Sequence, residues 1–194
     1  MMRNAQKEDA KQIAPLLSVI LRDIELPVFA QYKSDEELNN KIIPIIEGEE
    51  SRYSYKNFYV YEQAGTILGF LCGYSGSDAA RLDEPFKQYN ASFNLPPDEV
   101  LFPDVETFPG EWYIDALVTS SEARGKGIGS ALLNYANEVA AEAGETRIGL
   151  NCDQHNPKAG ALYERLGFKT DGTLKIGDHM YNRMFRILPL RDDK

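Results

Sequence analysis

The sequence predicts an α/β layered domain, and three observations carry that prediction. Strand-like and helix-like runs alternate, most regularly in the second half of the chain. A glycine-rich turn separates a strand-like run, Trp112 to Thr119, from a helix-like run ending at Ala143. A length of 194 residues with 43% hydrophobic content is enough for one packed core.

Met1 to Ala5 reads as a short strand. From Glu8 to Leu21, apolar residues at Ala10, Ile13, Ala14, Leu17, Ile20 and Leu21 have helical spacing, with Pro15 a misfit that threatens a kink. Ser34 and Glu37 form a capping-box pattern ahead of a second helix, Asp35 to Glu47, with Pro44 weakening its last turn and Gly48 as a stop. Asn57 to Gln63 and Thr66 to Tyr74 are strand-like and joined by an Ala64-Gly65 turn.

Gly76 to Gly110 differs from the rest. It carries seven acidic residues against two basic ones, five net negative charges, and only Arg81 to Tyr89 suggests a short helix. A connection of this length is expected to be functional, partly helical or mobile. Regular structure then resumes. The strand Trp112 to Thr119 is followed by an amphipathic helix from Gly127 with Leu132, Leu133, Ala136, Val139 and Ala140 on one stripe, stopped by Gly144. A strand from Thr146 to Cys152 leads to a helix, Pro157 to Leu166, with Asn156 as its N-cap. Strands beginning near Gly167 and at His179 complete the chain, the last running to Ile187.

The formal charge of −9 makes nonspecific nucleic-acid binding a poor expectation, because phosphate contacts supply most of that affinity. It suits solubility and also a cationic substrate. Cys72 and Cys152 have no second cysteine at metal-ligand spacing, and a Cys152–His155 pair is not a metal site, so no metal is implied. Residues 1 to 12 are polar and no apolar run is long enough to span a membrane. The expected home is a reducing cytoplasm, with no membrane or nucleic-acid partner.

Two segments carry the chemistry. In Arg124-Gly125-Lys126-Gly127-Ile128-Gly129-Ser130, a glycine loop opens a helix. Backbone N–H groups there converge on one anion, and the helix start adds about half a positive charge. The glycine spacing fits neither the dinucleotide fingerprint nor the P-loop. In the segment Asn156 to Phe168, a helix would place Asn156, Ala159 or Gly160, and Tyr163 on one face beside an apolar stripe of Ala159, Leu162 and Leu166.

Together the two segments resemble the GNAT family of acetyl-CoA-dependent N-acetyltransferases. Arg124, Gly127 and Gly129 meet the family's Arg/Gln-x-x-Gly-x-Gly/Ala pattern, and Asn156 to Phe168 meets Asn-x-x-Ala-x-x-Leu-Tyr-x-x-x-Gly-Phe in full. Thr119 stands where the family usually has Val, and Ser121 replaces the usual proline before the arginine. The resemblance is specific over about residues 111 to 170 and fails in the insertion at 76–110.

It implies a single 1–194 domain with a mixed, mostly antiparallel sheet flanked by helices. That sheet would splay between strand 112–119 and strand 146–152. It implies transfer of acetyl from acetyl-CoA to a primary amine, with no metal and no covalent enzyme intermediate, and the net negative charge of 76–110 points to a small, cationic acceptor. The diphosphate is expected on Arg124, Gly125, Lys126, Gly127, Ile128, Gly129 and Ser130. The pantetheine arm is expected along Leu117, Val118 and Thr119, with Asn151, Asn156 and Lys158 as further donor-binding residues.

The resemblance makes Tyr163 the general acid for the departing thiolate. Asp115 is either the base for the incoming ammonium or the structural partner of an arginine or a backbone cap. By simple alternation Asp115 shares a face with Leu117 and Glu111. His179 and Tyr181 share a face of the last strand, either lining the acceptor pocket or packing. A CoA-binding sensor without turnover, an acyltransferase for a peptide or protein amine, and a homodimer remain open alternatives.

Overall fold

The computed structural model describes residues 1–188; residues 189–194, the end of the expected domain, lie outside the described residues. One seven-stranded sheet has the order β1-β2-β3-β4-β5-β7-β6. The strands are β1 (Met2–Asn4), β2 (Phe58–Gln63), β3 (Thr66–Ser75), β4 (Trp112–Thr119), β5 (Arg147–Asp153), β6 (Lys169–Ile176) and β7 (His179–Ile187). Every neighbouring pair is antiparallel except β4 and β5, which are parallel. The sheet is therefore mixed and mostly antiparallel.

Helices α1 (Ala10–Asp23), α2 (Pro27–Ala30) and α3 (Asp35–Glu47) build one apolar cluster with one face of the sheet. Helix α5 (Ile128–Glu142) packs on a second cluster with Trp112, Ile114, Ile148 and Leu150. The amphipathic stripes explain the sides chosen. Ala10, Ile13, Ala14, Leu17 and Leu21 of α1 are buried, as are Leu132, Leu133, Ala136, Val139 and Ala140 of α5. Pro15 and Pro44 are both accommodated inside their helices. Ser34 caps α3 by accepting from the Glu37 N–H, while the Glu37 carboxylate accepts from Lys33 rather than Ser34, so the capping box is shifted by one residue.

The 76–110 segment is a structured part of the core. It contains α4 (Ala79–Asp83) and a 3-10 run over Glu84–Phe93. Phe86, Phe93 and Phe102 insert among Phe29 and Tyr53, with ring centroids 5.5–6.5 Å apart. Such aromatic burial, with edge-on pairs adding about 0.5–1.5 kcal/mol each, fixes the segment against the sheet.

Strands β4 and β5 pair only where Trp112, Tyr113 and Ile114 meet Ile148, Gly149 and Leu150. The register of β3 against β4 shifts at this place. Cys72 opposes Ala116 and Gly73 opposes Ile114, so Asp115 is an extra, unpaired residue. A bulge increases local twist and bends the strand, which gives a physical reason for the splay from this residue onward. Among the described residues, no helix is long and apolar enough to cross a membrane.

Candidate active site

The splay opens one cleft of about 1170 Å³ that runs from the start of α5 to the mouth between β5, β7 and the 76–110 segment. All the sequence-predicted site residues except Lys126 line it: Asp115, Leu117, Val118, Thr119, Arg124, Gly125, Gly127, Ile128, Gly129, Ser130, Asn151, Asn156, Lys158 and Tyr163. Lys126 is exposed outside the lining.

One half of the cleft suits an anion. Gly125 and Gly127 have φ of 76° and 79°, the left-handed region that glycine enters without strain. This backbone turns the chain sharply from β4 into α5, whose first-turn N–H groups have no helical partners. A Cβ on Gly125 or Gly127 would meet nothing within 4 Å, so the space over the loop is free. Arg124, Lys158 and Arg165 stand on this half. Asn156 caps helix α6 (Pro157–Arg165) by accepting from the Ala159 N–H at 3.2 Å, and so fixes the helix that carries Lys158, Tyr163 and Arg165.

Beyond Ile114, β4 presents a backbone edge with no strand partner on the β5 side, the kind of edge to which a peptide-like arm can add. Among the described residues, the Asn151 side-chain oxygen is buried without a hydrogen-bond partner. The Asn151 amide donates to the Glu106 carbonyl at 2.9 Å and to the Tyr113 hydroxyl at 3.1 Å. Its free oxygen can accept an N–H from a bound molecule. These features fit a CoA-type donor: an anion cradle, an open strand edge and an unspent acceptor.

The other half is acidic. Asp23, Glu25, Asp104, Glu106 and Asp153 line it. Asp104 also accepts from the Gly177 N–H at 2.8 Å, tying the 76–110 segment to the β6–β7 turn. The remaining acids of that segment are not all available. Asp83 is bound to Arg52 at 2.6 and 2.8 Å, Asp78 pairs with Arg81, and Glu84 with Lys87. The local field at the cleft is therefore made by fewer acids than the composition of 76–110 suggests.

At the junction of the halves lies a buried polar cluster. Arg52 is 3% exposed and reaches Asp83, Asp115 and Glu106, the last two at 3.1 and 3.6 Å. Tyr74 donates to Asp115 at 2.6 Å, and Tyr113 to Glu106 at 3.1 Å. Burial pushes the Glu106 carboxyl up to about 7, with Arg52 pulling the other way and the negative Asp115 adding to the rise. Asp115 thus has both an arginine and a tyrosine partner. The bulge also breaks the alternation that placed it with Leu117. Ile114 and Leu117 pack on the α5 side, whereas Ala116 and Val118 pack on the α1 side. Glu111 lies outside the cleft, held by Arg183 at 2.7 Å and accepting from the Phe108 N–H.

Tyr163 is partly buried, with its ring 5.8 Å from Phe168. Burial pushes its phenol well up, with the neighbouring Cys152 adding to the rise, so it keeps its proton through neutral pH. Burial likewise raises the Cys152 thiol. His179 and Tyr181 both line the cleft, and Trp112 is core. Sequence reasoning passed over Glu106, Arg52 and Arg165. Glu106 was one acid among seven, and nothing local marks Arg52.

Residues 20–168 match the family model described as Acetyltransferase (GNAT) family. The chain belongs to that family, whose members use acetyl-CoA. Among solved structures it is similar to one described as an acetyltransferase, at 39% identity and a TM-score of 0.85, covering 97% of this chain and 100% of that one. It is also similar to an N-acetyltransferase from Staphylococcus aureus Mu50, at 27% identity and a TM-score of 0.80, covering 96% and 100%. An aminoglycoside 6'-N-acetyltransferase complexed with coenzyme A shares the fold at 16% identity and a TM-score of 0.57, covering 100% and 99%. No match is found among curated proteins.

Proposed function

We propose that this chain is an N-acetyltransferase that moves acetyl from acetyl-CoA to the primary amine of a small cationic molecule by direct attack. The observation that carries this is that one cleft holds both the glycine loop at the start of α5, with Arg124, Lys158 and Arg165, and a group of five acids from the end of α1, the 76–110 segment and β5, with Glu106 and Tyr163 in the same lining. Acetyl-CoA supplies an electrophilic thioester carbonyl and a thiolate leaving group.

Backbone N–H groups from Arg124 to Ser130, with Arg124, Lys158 and Arg165, hold the diphosphate end. The open β4 edge at Leu117 to Thr119 orients the pantetheine arm, and an unpaired N–H at Leu117 or Val118 donates to the thioester oxygen. The acids of the other half draw in the ammonium. Glu106 takes a proton from it, so that the free amine attacks. A carboxyl near pH 7 is well matched to that task. Tyr163 donates its proton to the departing sulfur, and the second proton that the nitrogen sheds as the amide forms passes through solvent to reload the phenol.

The contacts of Asp115 with Arg52 and Tyr74 favour the positioning role over the base: it anchors the guanidinium that faces Glu106. Cys152 takes no part, since a protonated thiol is a poor nucleophile. Free-thiol release from acetyl-CoA, followed with a panel of amines at low and high salt, tests the assignment. Turnover of cationic amines, weakened by salt, is expected. A preference for anionic acceptors, or no thiol release with any amine, would overturn it.

A further inference from the structure

Asp153, His155 and His179 meet at the rim of the acidic half, although 24 residues separate His155 from His179 in the sequence. Asp153 ends β5, His155 lies in the turn before α6, and His179 begins β7. One ligand atom from each lies within 4.8 Å of the other two. The Asp153 carboxylate stands 3.1 Å from His155 Nδ1 and 2.8 Å from His179 Nδ1. We propose that these three side chains bind a transition-metal ion of the Zn2+ class.

The donor set is two imidazole nitrogens and one carboxylate oxygen. That combination suits zinc-type ions and is poor for Mg2+ or Ca2+, which prefer all-oxygen shells. Tetrahedral zinc bonds of about 2.0–2.2 Å place ligand atoms about 3.3 Å apart. His155 Nδ1 faces Asp153 Oδ1 and His179 Nδ1 faces Asp153 Oδ2, so side-chain rotations that keep the three ligand atoms within their present 4.8 Å bring one oxygen and both nitrogens to that spacing. Three protein ligands leave a fourth position facing the cleft, open to water or an amine.

A further observation concerns the outer shell. With His179 Nδ1 turned to Asp153, its Nε2 points at the Glu25 carboxylate, 3.3 Å away. A ligating histidine held by a carboxylate on its other nitrogen is the usual support of such sites, because it fixes the ring and raises its basicity. The frame is also set in advance. Asp153 accepts from the His155 N–H at 2.8 Å, and the Gln154 N–H donates to the Met180 carbonyl, locking the end of β5 to β7. Asp153 and Glu25 also belong to the acidic half of the cleft, but the test of metal binding has a readout separate from acetyl transfer.

Metal-free full-length chain is titrated with Zn2+ against a chromophoric chelator, and with Co2+ followed by its visible absorption. One site per chain is expected, with a tetrahedral Co2+ spectrum that lacks a thiolate charge-transfer band. His155→Ala alters a side chain 83% exposed, so the fold is retained, and it should abolish the spectrum. His179→Ala should do the same. Glu25→Gln should keep the spectrum and weaken Zn2+ binding by about 10-fold to 100-fold. Absence of binding by the unaltered chain would overturn the proposal, leaving His179 as a hydrogen-bonded bridge between Asp153 and Glu25. Binding unaffected by both histidine changes, or a thiolate band placing the ion on a cysteine, would overturn it equally.

Discussion

The two halves of the cleft are built in opposite ways. The anion-cradling half, the proposed donor side, is nearly contiguous: Arg124 to Ser130 and the helix begun by Asn156 supply its charges and backbone donors. The acidic half, the proposed acceptor side, is gathered from the end of α1, the 76–110 segment, the end of β5 and the start of β7. Short-range geometry makes the first, so a motif can encode it. Long-range packing makes the second, so its specificity can change without touching the motif. A change in the donor half should move acetyl-CoA affinity, and one in the acceptor half should move turnover and acceptor choice.

Tyr163 stands at the junction and gives the largest expected effect. Tyr163→Phe should lower kcat by about 10²-fold to 10⁴-fold, the worth of a general acid, with the acetyl-CoA KM nearly unchanged. Steady-state kinetics check this, and unchanged turnover would remove Tyr163 from the mechanism. Next comes Arg52. Arg52→Met strands three partly buried carboxylates and should lower unfolding free energy by about 3 kcal/mol in a denaturant titration. Retained stability would mean that those acids are held some other way.

Glu106→Gln should cost about 10²-fold in kcat without altering the acetyl-CoA KM. The pH profile sharpens the contrast with Asp115. As the proposed base Glu106 acts when deprotonated, and burial raises its carboxyl to about 7, so kcat/KM should rise as pH increases through about 7. Asp115→Asn should lower the melting temperature and keep that limb but move it to lower pH, because the Asp115 charge helps to raise Glu106. An ascending limb that vanishes in Asp115→Asn and persists in Glu106→Gln would reverse the two assignments. The smallest effect belongs to the donor half. Gly127→Ala places a Cβ at φ 79°, a strain of about 1–2 kcal/mol, and should raise the acetyl-CoA KM more than it lowers kcat. Lys126→Ala, outside the cleft, should leave both constants in place.

Legibility follows the same division. The strand at Trp112, the glycine loop, the Asn156 cap and Tyr163 all fall where the sequence predicts, because each depends on neighbours within a turn or two. Asp115 shows the limit. Its strand was legible, but a bulge set by pairing with Cys72 and Gly73 shifted the alternation, and no local signal announces such a register change. The acidity of 76–110 was legible as composition. Which acids reach the cleft depends on Arg52, whose three partners lie 31, 54 and 63 residues away. The Cys152–His155 spacing gave no metal site, whereas Asp153 and His155 become a candidate site only when β7 brings His179 beside them.

By itself the sequence determined the family, the alternation of strands and helices, and the position of the glycine loop between β4 and α5. These rest on hydrophobic period, backbone freedom at glycine and capping, all of which act over a few residues. The tertiary structure alone decided where the sheet splays, which carboxylate is raised to about 7, and which acids and histidines share the rim. Those properties come from burial and from charges far apart in the chain, and neither exists until the sheet has closed around Arg52.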